Sequence, residues 1–135
     1  MAEPGRVVMV RELMHTQVVS TSSDGPVTVA AAAMVGARAG SALVMQGRML
    51  VGILTERDVL RAAASGADLT VSPVSAWMTT NPESATLDTT VEDAAQLMLL
   101  NGFRHLPVVD GREVRGVVSL RDLFAARISR PAVTK

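Results

Sequence analysis

Two stretches decide the fold: Gly52-Ile53-Leu54-Thr55-Glu56-Arg57-Asp58 and, 64 positions later, Gly116-Val117-Val118-Ser119-Leu120-Arg121-Asp122. Each passes from glycine through two β-branched or leucine residues to a hydroxyl, with an acid three residues beyond it. An apolar run ending in such a hydroxyl–acid pair predicts a buried strand turning directly into a capped helix. Working outward at the same shift, Met14 falls on Met78, Asp24 on Asp88, Ala30-Ala31 on Ala94-Ala95 and Gly47-Arg48 on Gly111-Arg112. No gap is needed between Val10 and Ala62, and about sixteen of some fifty aligned positions are identical. The chain is therefore two copies of one unit.

Each copy reads in the same order. A short helical turn (Val10–Met14, Val74–Met78) precedes a brief extended segment near Val18–Ser20 or Ser84–Thr86. A helix follows, Val27–Ala39 in the first copy and Val91–Asn101 in the second. Thr90 with Asp93 caps the latter, and Gly102 stands where it should stop. Two strands then flank a tight turn: Leu43–Met45 and Met49–Leu54 around Gln46-Gly47-Arg48, Leu106–Val109 and Val114–Val118 around Asp110-Gly111-Arg112. The last helix starts at Glu56 or Leu120. The unit is β-α-β-β-α, an α/β fold. Leu97-Met98-Leu99-Leu100 runs round the helix cylinder, and Val27–Ala39 is nearly all Ala, Val, Met and Gly. Helices apolar on more than one face call for cover on more than one face, from the other copy or a second chain.

Composition narrows the function. The 135 residues are 48% hydrophobic, which predicts a packed core, and thirteen basic residues balance thirteen acidic ones. Neutral charge argues against nucleic acid or an anionic membrane as partner, and 2% aromatics against single-strand stacking. No cysteine means no disulfide and no thiol chemistry. Neither a signal peptide nor a membrane-length apolar run is present, so a cytoplasmic protein is expected. The Met1 start suggests a complete chain.

The hydroxyl–acid pairs have two readings. As capping boxes they only start helices. As binding elements they set a carboxylate, which can accept from two ribose hydroxyls, beside helix N–H groups that attract a phosphate. The two readings are compatible.

Residues 10–59 and 74–123 also resemble a known family. The paired copies, the run Gly102-Phe103-Arg104-His105-Leu106-Pro107-Val108 and the Gly-x-x-Thr/Ser-x-x-Asp endings are similar to CBS domains, named from cystathionine β-synthase. The resemblance implies an N-terminal extension (1–9), a first repeat (10–65), a linker (66–73), a second repeat (74–130) and a tail (131–135). It further implies that the repeats pack about a pseudo-twofold into a CBS pair with two clefts for adenosine-containing ligands. Two such pairs commonly stack into a disc-shaped dimer.

Carried over position by position, one cleft takes Asp122 for the ribose, Ser119, Arg121, Arg104 and His105 for the phosphate and Val117 against the base. Gln17, Val19, Ala39 and Gly40 complete it across the pseudo-twofold. The other takes Thr55, Arg57, Asp58 and Ile53, completed by Asn81, Glu83 and Phe103. Its phosphate positions, Gly40 and Ser41, carry no charge, and Leu43 replaces the proline found at Pro107. The Asp122 cleft is thus the expected binder.

Other chemistry lacks a motif. His15 and His105, the only histidines, have no metal-ligand spacing, and no nucleophile elbow, P-loop or dinucleotide fingerprint exists. The eight methionines and Trp77 read as packing, Trp77 alternatively as an interface anchor. The expectation is a non-catalytic regulatory module needing no cofactor or metal. AMP, ADP or ATP is its regulatory ligand, an unidentified effector protein its listener, and a homodimer forms through Val27–Ala39 and Val91–Asn101. The rival reading is a structural pairing or protein-interaction module whose vestigial clefts bind no nucleotide.

Overall fold

Glycine places both hairpin turns. Gly47 and Gly111 take φ of 62° and 63°, a left-handed region closed to most side chains, between strands that pair in the same register. Register slips by one residue at Val44/Met45 and again at Val108/Val109, so even the bulge is repeated. A computed structural model describes residues 6–129. The expected tail at 131–135, and the first five residues of the expected extension, lie outside the described residues.

In the first repeat β1 is Ser20–Thr21, α1 Val27–Ala37, β2 Ser41–Gln46, β3 Met49–Thr55 and α2 Glu56–Ala64. Next come a 3-10 turn at Val74–Ala76 and a short strand β4, Thr79–Thr80. The second repeat holds β5 (Ala85–Thr86), α3 (Val91–Asn101), β6 (His105–Asp110), β7 (Glu113–Ser119) and α4 (Leu120–Ser129). A matching 3-10 turn at Val10–Glu12 leads the chain. The sheets run β1-β2-β3-β4 and β5-β6-β7, with β1 parallel to β2, β5 parallel to β6, and the other neighbours antiparallel. β4 has no counterpart in the sequence reading, because two residues are too few to show an alternation. Helix α1 ends two residues before Ala39. Arg38 takes a left-handed φ of 55°, and the Ala39 N–H closes back on the Met34 carbonyl at 2.9 Å.

The compact units are not the sequence repeats. One comprises residues 17–82; the other joins residues 6–16 with 83–129. Each repeat's leading turn therefore packs on the other repeat's sheet and helices. Val74, fully buried, enters the core of Ala30, Met34, Ala42, Val44 and Leu54. Val10, its equivalent, enters that of Val91, Ala94, Met98, Leu106 and Val118. Each buried valine contributes about 1.5–3 kcal/mol to the unit that receives it. Val8 and Met9, within the expected extension, belong to the same assembly. The Val8 carbonyl accepts the Val91 N–H at 2.9 Å, and Met9 bridges to Thr90.

Gly52 and Gly116 serve this docking. A Cβ on Gly116 would lie 2.7 Å from the His15 carbonyl oxygen; one on Gly52 would lie 2.9 Å from that of Thr79. Only a bare α-carbon lets the crossing backbone so close. In each unit the face of the long helix bearing Val27, Ala30 and Met34, or Val91, Ala94 and Met98, is buried. The opposite face leaves Val29, Val35, Leu99 and Leu100 between 60% and 79% exposed.

Candidate functional site

The turn from β3 into α2 is a complete capping box. Thr55 Oγ1 accepts the Asp58 N–H at 3.2 Å, and Asp58 Oδ2 accepts the Thr55 N–H at 2.8 Å. The turn from β7 into α4 repeats it: Ser119 Oγ accepts the Asp122 N–H at 3.1 Å, and Asp122 Oδ2 accepts the Ser119 N–H at 2.8 Å. The first helical N–H of each is also used. Glu56 donates to the Gly40 carbonyl at 3.0 Å and Leu120 to the Arg104 carbonyl at 2.9 Å. Capping thus claims one oxygen of each aspartate. The other oxygen of each is not held by the backbone cap.

The two remaining oxygens have different partners. Asp58 Oδ1 accepts from Arg61 Nη1 at 2.8 Å, three residues along the same helix. Arg61 in turn lies over the Trp77 ring, 5.9 Å from its centroid, while Trp77 Nε1–H donates to Ser72 Oγ at 3.0 Å. Trp77 is therefore a packing and orienting residue within its own unit. Asp122 Oδ1 lies 2.9 Å from His15 Nε2. An ionised carboxylate only accepts, so the imidazole Nε2–H donates. His15 is held there by its backbone, which exchanges two hydrogen bonds with Val117 at 2.9 and 3.0 Å. Its segment is fastened further back: the Met9 N–H and then the Arg6 guanidinium bond Glu12, holding that carboxyl below the ordinary glutamate range.

The strand register brings part of each expected set together and leaves Gln17, Val19, Ala39 and Gly40 in a different unit from Asp122, and Glu83 and Phe103 in a different unit from Asp58. His105 lies opposite Ser119, with Arg104 one residue before it and Arg121 in the first turn of α4. Val117 lies opposite Pro107. In the other unit Ser41, 7% exposed, lies opposite Thr55, Gly40 precedes it, Arg57 is in the first turn of α2 and Ile53 faces Leu43. That unit also contains Gln17 and Val19, whose carbonyl accepts the Leu43 N–H at 2.8 Å, together with Ala39 and Asn81. Asn81 follows β4 with a φ of 49°, its N–H on the Val51 carbonyl. Glu83 and Phe103 belong with the second repeat, Phe103 against the core of Met98 and Leu106.

Sequence reading missed two residues, His15 and Arg61. Arg61 was visible as an arginine three residues after Asp58 on a helix, a spacing that brings side chains together. His15 carried a fainter sign: it aligns with Thr79, the residue after the repeated methionine.

This β-α-β-β-α pair with hydroxyl–acid turns defines a class, and comparison gives it a name. The chain matches the CBS domain over residues 10–65 and 74–129 and belongs to the CBS domain family. It is 37% identical to the CBS domain-containing protein YhcV of Bacillus subtilis over 121 residues, 89% of this chain and 86% of that one. A crystal structure of the CBS domain protein NE2398 superposes with a TM-score of 0.86 at 34% identity, covering 92% of this chain and all of that one. The CBS domain protein PAE2072 of Pyrobaculum aerophilum, solved in complex with AMP, superposes with a TM-score of 0.79 at 28% identity, over 85% and 89% of the two chains.

Proposed function

We propose that this chain is a non-catalytic regulatory module whose second repeat binds an adenosine-containing ligand, AMP, ADP or ATP. The observation that carries the reading is the divided use of Asp122. One oxygen is tied to the backbone, whereas the other meets the exposed His15 side chain at a strand-to-helix turn. A ribose diol needs such an acceptor. Arg104 and Arg121, both exposed and on either side of that turn, supply cations for a phosphate. The AMP complex of PAE2072 adds support from a protein of the same fold. Asp58 is the weaker site in this reading, since its outer oxygen is committed to a permanently charged arginine.

Regulation follows from linkage. A ligand that binds one conformation of the module better than another shifts the population toward it, and an effector protein reads the shift. The second element of the proposal is a homodimer through Val27–Ala39 and Val91–Asn101, whose outer faces present Val29, Val35, Leu99 and Leu100.

Thermal denaturation with AMP, ADP, ATP and adenosine tests the binding. A ligand at a hundred times its Kd stabilises by about 2.7 kcal/mol, on the order of ten degrees for a domain of this size. No shift with any of them favours the structural pairing module. Light scattering tests the dimer: the expected mass is about twice 14.2 kDa at micromolar concentration, and a monomer throughout removes that part of the proposal.

A further inference from the structure

Asp122 stands out because its ligand-facing oxygen is covered by a residue 107 positions away in sequence. The coverage is specific. His15 is pinned by paired backbone bonds to Val117, its carbonyl fits against Gly116 where a Cβ would clash, and its ring reaches Asp122 Oδ1 at 2.9 Å. In the other unit the matching residue, Thr79, pairs in the same way with Ile53, but there Arg61 takes the aspartate oxygen. The backbone frame is thus common to both repeats, while the imidazole clasp belongs to one. The imidazole is 68% exposed and Asp122 20% exposed, so the ring can leave without opening the core.

We propose that His15 is a specificity-determining residue, an internal competitor whose imidazole N–H occupies the Asp122 oxygen outside the cap, the one on which a ribose diol would settle. This rests on the ribose reading of Asp122. A ligand with vicinal hydroxyls binds by exchange, its O–H donors replacing the Nε2–H. A ligand without them offers nothing in return and leaves the clasp closed. The second repeat therefore responds only at ligand concentrations high enough to displace His15.

The test uses the full chain and its His15→Thr variant, which installs the residue of the matching position. Calorimetric titration with adenosine should give about fivefold tighter binding to His15→Thr, the size of one hydrogen bond. Binding of 2′,3′-dideoxyadenosine should be equal in the two proteins. In the unmutated protein, the ring 15N resonance of His15 Nε2 should move on saturation with adenosine and stay in place with the dideoxy compound. Equal or weaker adenosine binding by His15→Thr, or an Nε2 resonance indifferent to bound adenosine, overturns the competitor role while leaving the ribose reading intact. Failure of both proteins to bind any adenosine compound overturns the ribose reading, and the competitor role with it.

Discussion

The Asp58 and Asp122 turns share the backbone of the cap and differ in the side chain that meets the outer carboxylate oxygen. Both are capping boxes, both follow a strand whose glycine admits a crossing segment, and both accept the N-cap N–H at 2.8 Å. Asp58 is then paired with Arg61 from its own helix, a permanent cation steadied by Trp77. At the positions equivalent to Arg61 and Trp77 the unit containing Asp122 has Ala125 and Leu13. Its aspartate is instead held from outside the helix, by His15. The frame is common and the closures differ: one acid is closed from its own helix, the other by an exposed side chain from a distant segment.

The hardest way to break the comparison is to remove its common frame. Gly116→Ala should destabilise by about 2 kcal/mol, because its methyl meets backbone at the His15 carbonyl rather than a yielding side chain. Gly52→Ala, against Thr79 and Met78, should cost a similar amount. Urea denaturation of both variants reads the result. Near-neutral substitutions would mean that the crossing segments are loosely seated.

Next in size is the asymmetry of binding. Calorimetry should show AMP affinity falling at least about tenfold in Asp122→Ala and changing less than about twofold in Asp58→Ala. The reverse order would transfer the ribose role to the Arg61-bound acid. A smaller effect sharpens the helix ends. Arg38 and Gly102 are equivalent C-caps, both left-handed, at φ of 55° and 75°. Arg38→Gly should relieve the Cβ crowding and raise stability by about 0.5–1 kcal/mol, measured by thermal unfolding, whereas Gly102→Arg should lower it.

The smallest effect concerns the segment that carries His15. Glu12 is held below its ordinary value by Met9 N–H and Arg6, and Ala76 at the matching position has no such group. A depressed carboxyl adds stability that is present above its unfolded-state value and lost as pH falls through the folded-state value. Acid titration of unfolding should therefore show Glu12→Gln and the unmutated protein converging at low pH and separating slightly above it. Parallel curves would mean that Glu12 does not fasten the segment.

The legible part of this molecule was what one segment can state about itself. The Gly47 and Gly111 turns, the Thr55–Asp58 and Ser119–Asp122 caps and the Gly102 stop all depend on residues within four positions of each other. Which face of the almost wholly apolar helix Val27–Ala37 is buried, that of Val27, Ala30 and Met34, was not legible, because an all-apolar stretch shows no periodicity. Arg61 was within local reach, as an i,i+3 neighbour of Asp58. The strand at Thr79–Thr80 was not, since two residues form a strand only when β3 supplies the partner groups.

By itself, then, the sequence determined two copies of a β-α-β-β-α unit, their turns and caps, and the two acids at the strand-to-helix corners. Tertiary structure alone decided that each leading turn docks on the other repeat, carrying Val10 and Val74 into cores that their own sequence neighbours do not form. It alone set His15 on Asp122. Local conformation follows from short-range sterics and hydrogen bonding, which a few consecutive residues specify. The partner of a buried valine or a free carboxylate oxygen depends on which distant backbone can approach, and here two glycine α-carbons, Gly52 and Gly116, left the space for it.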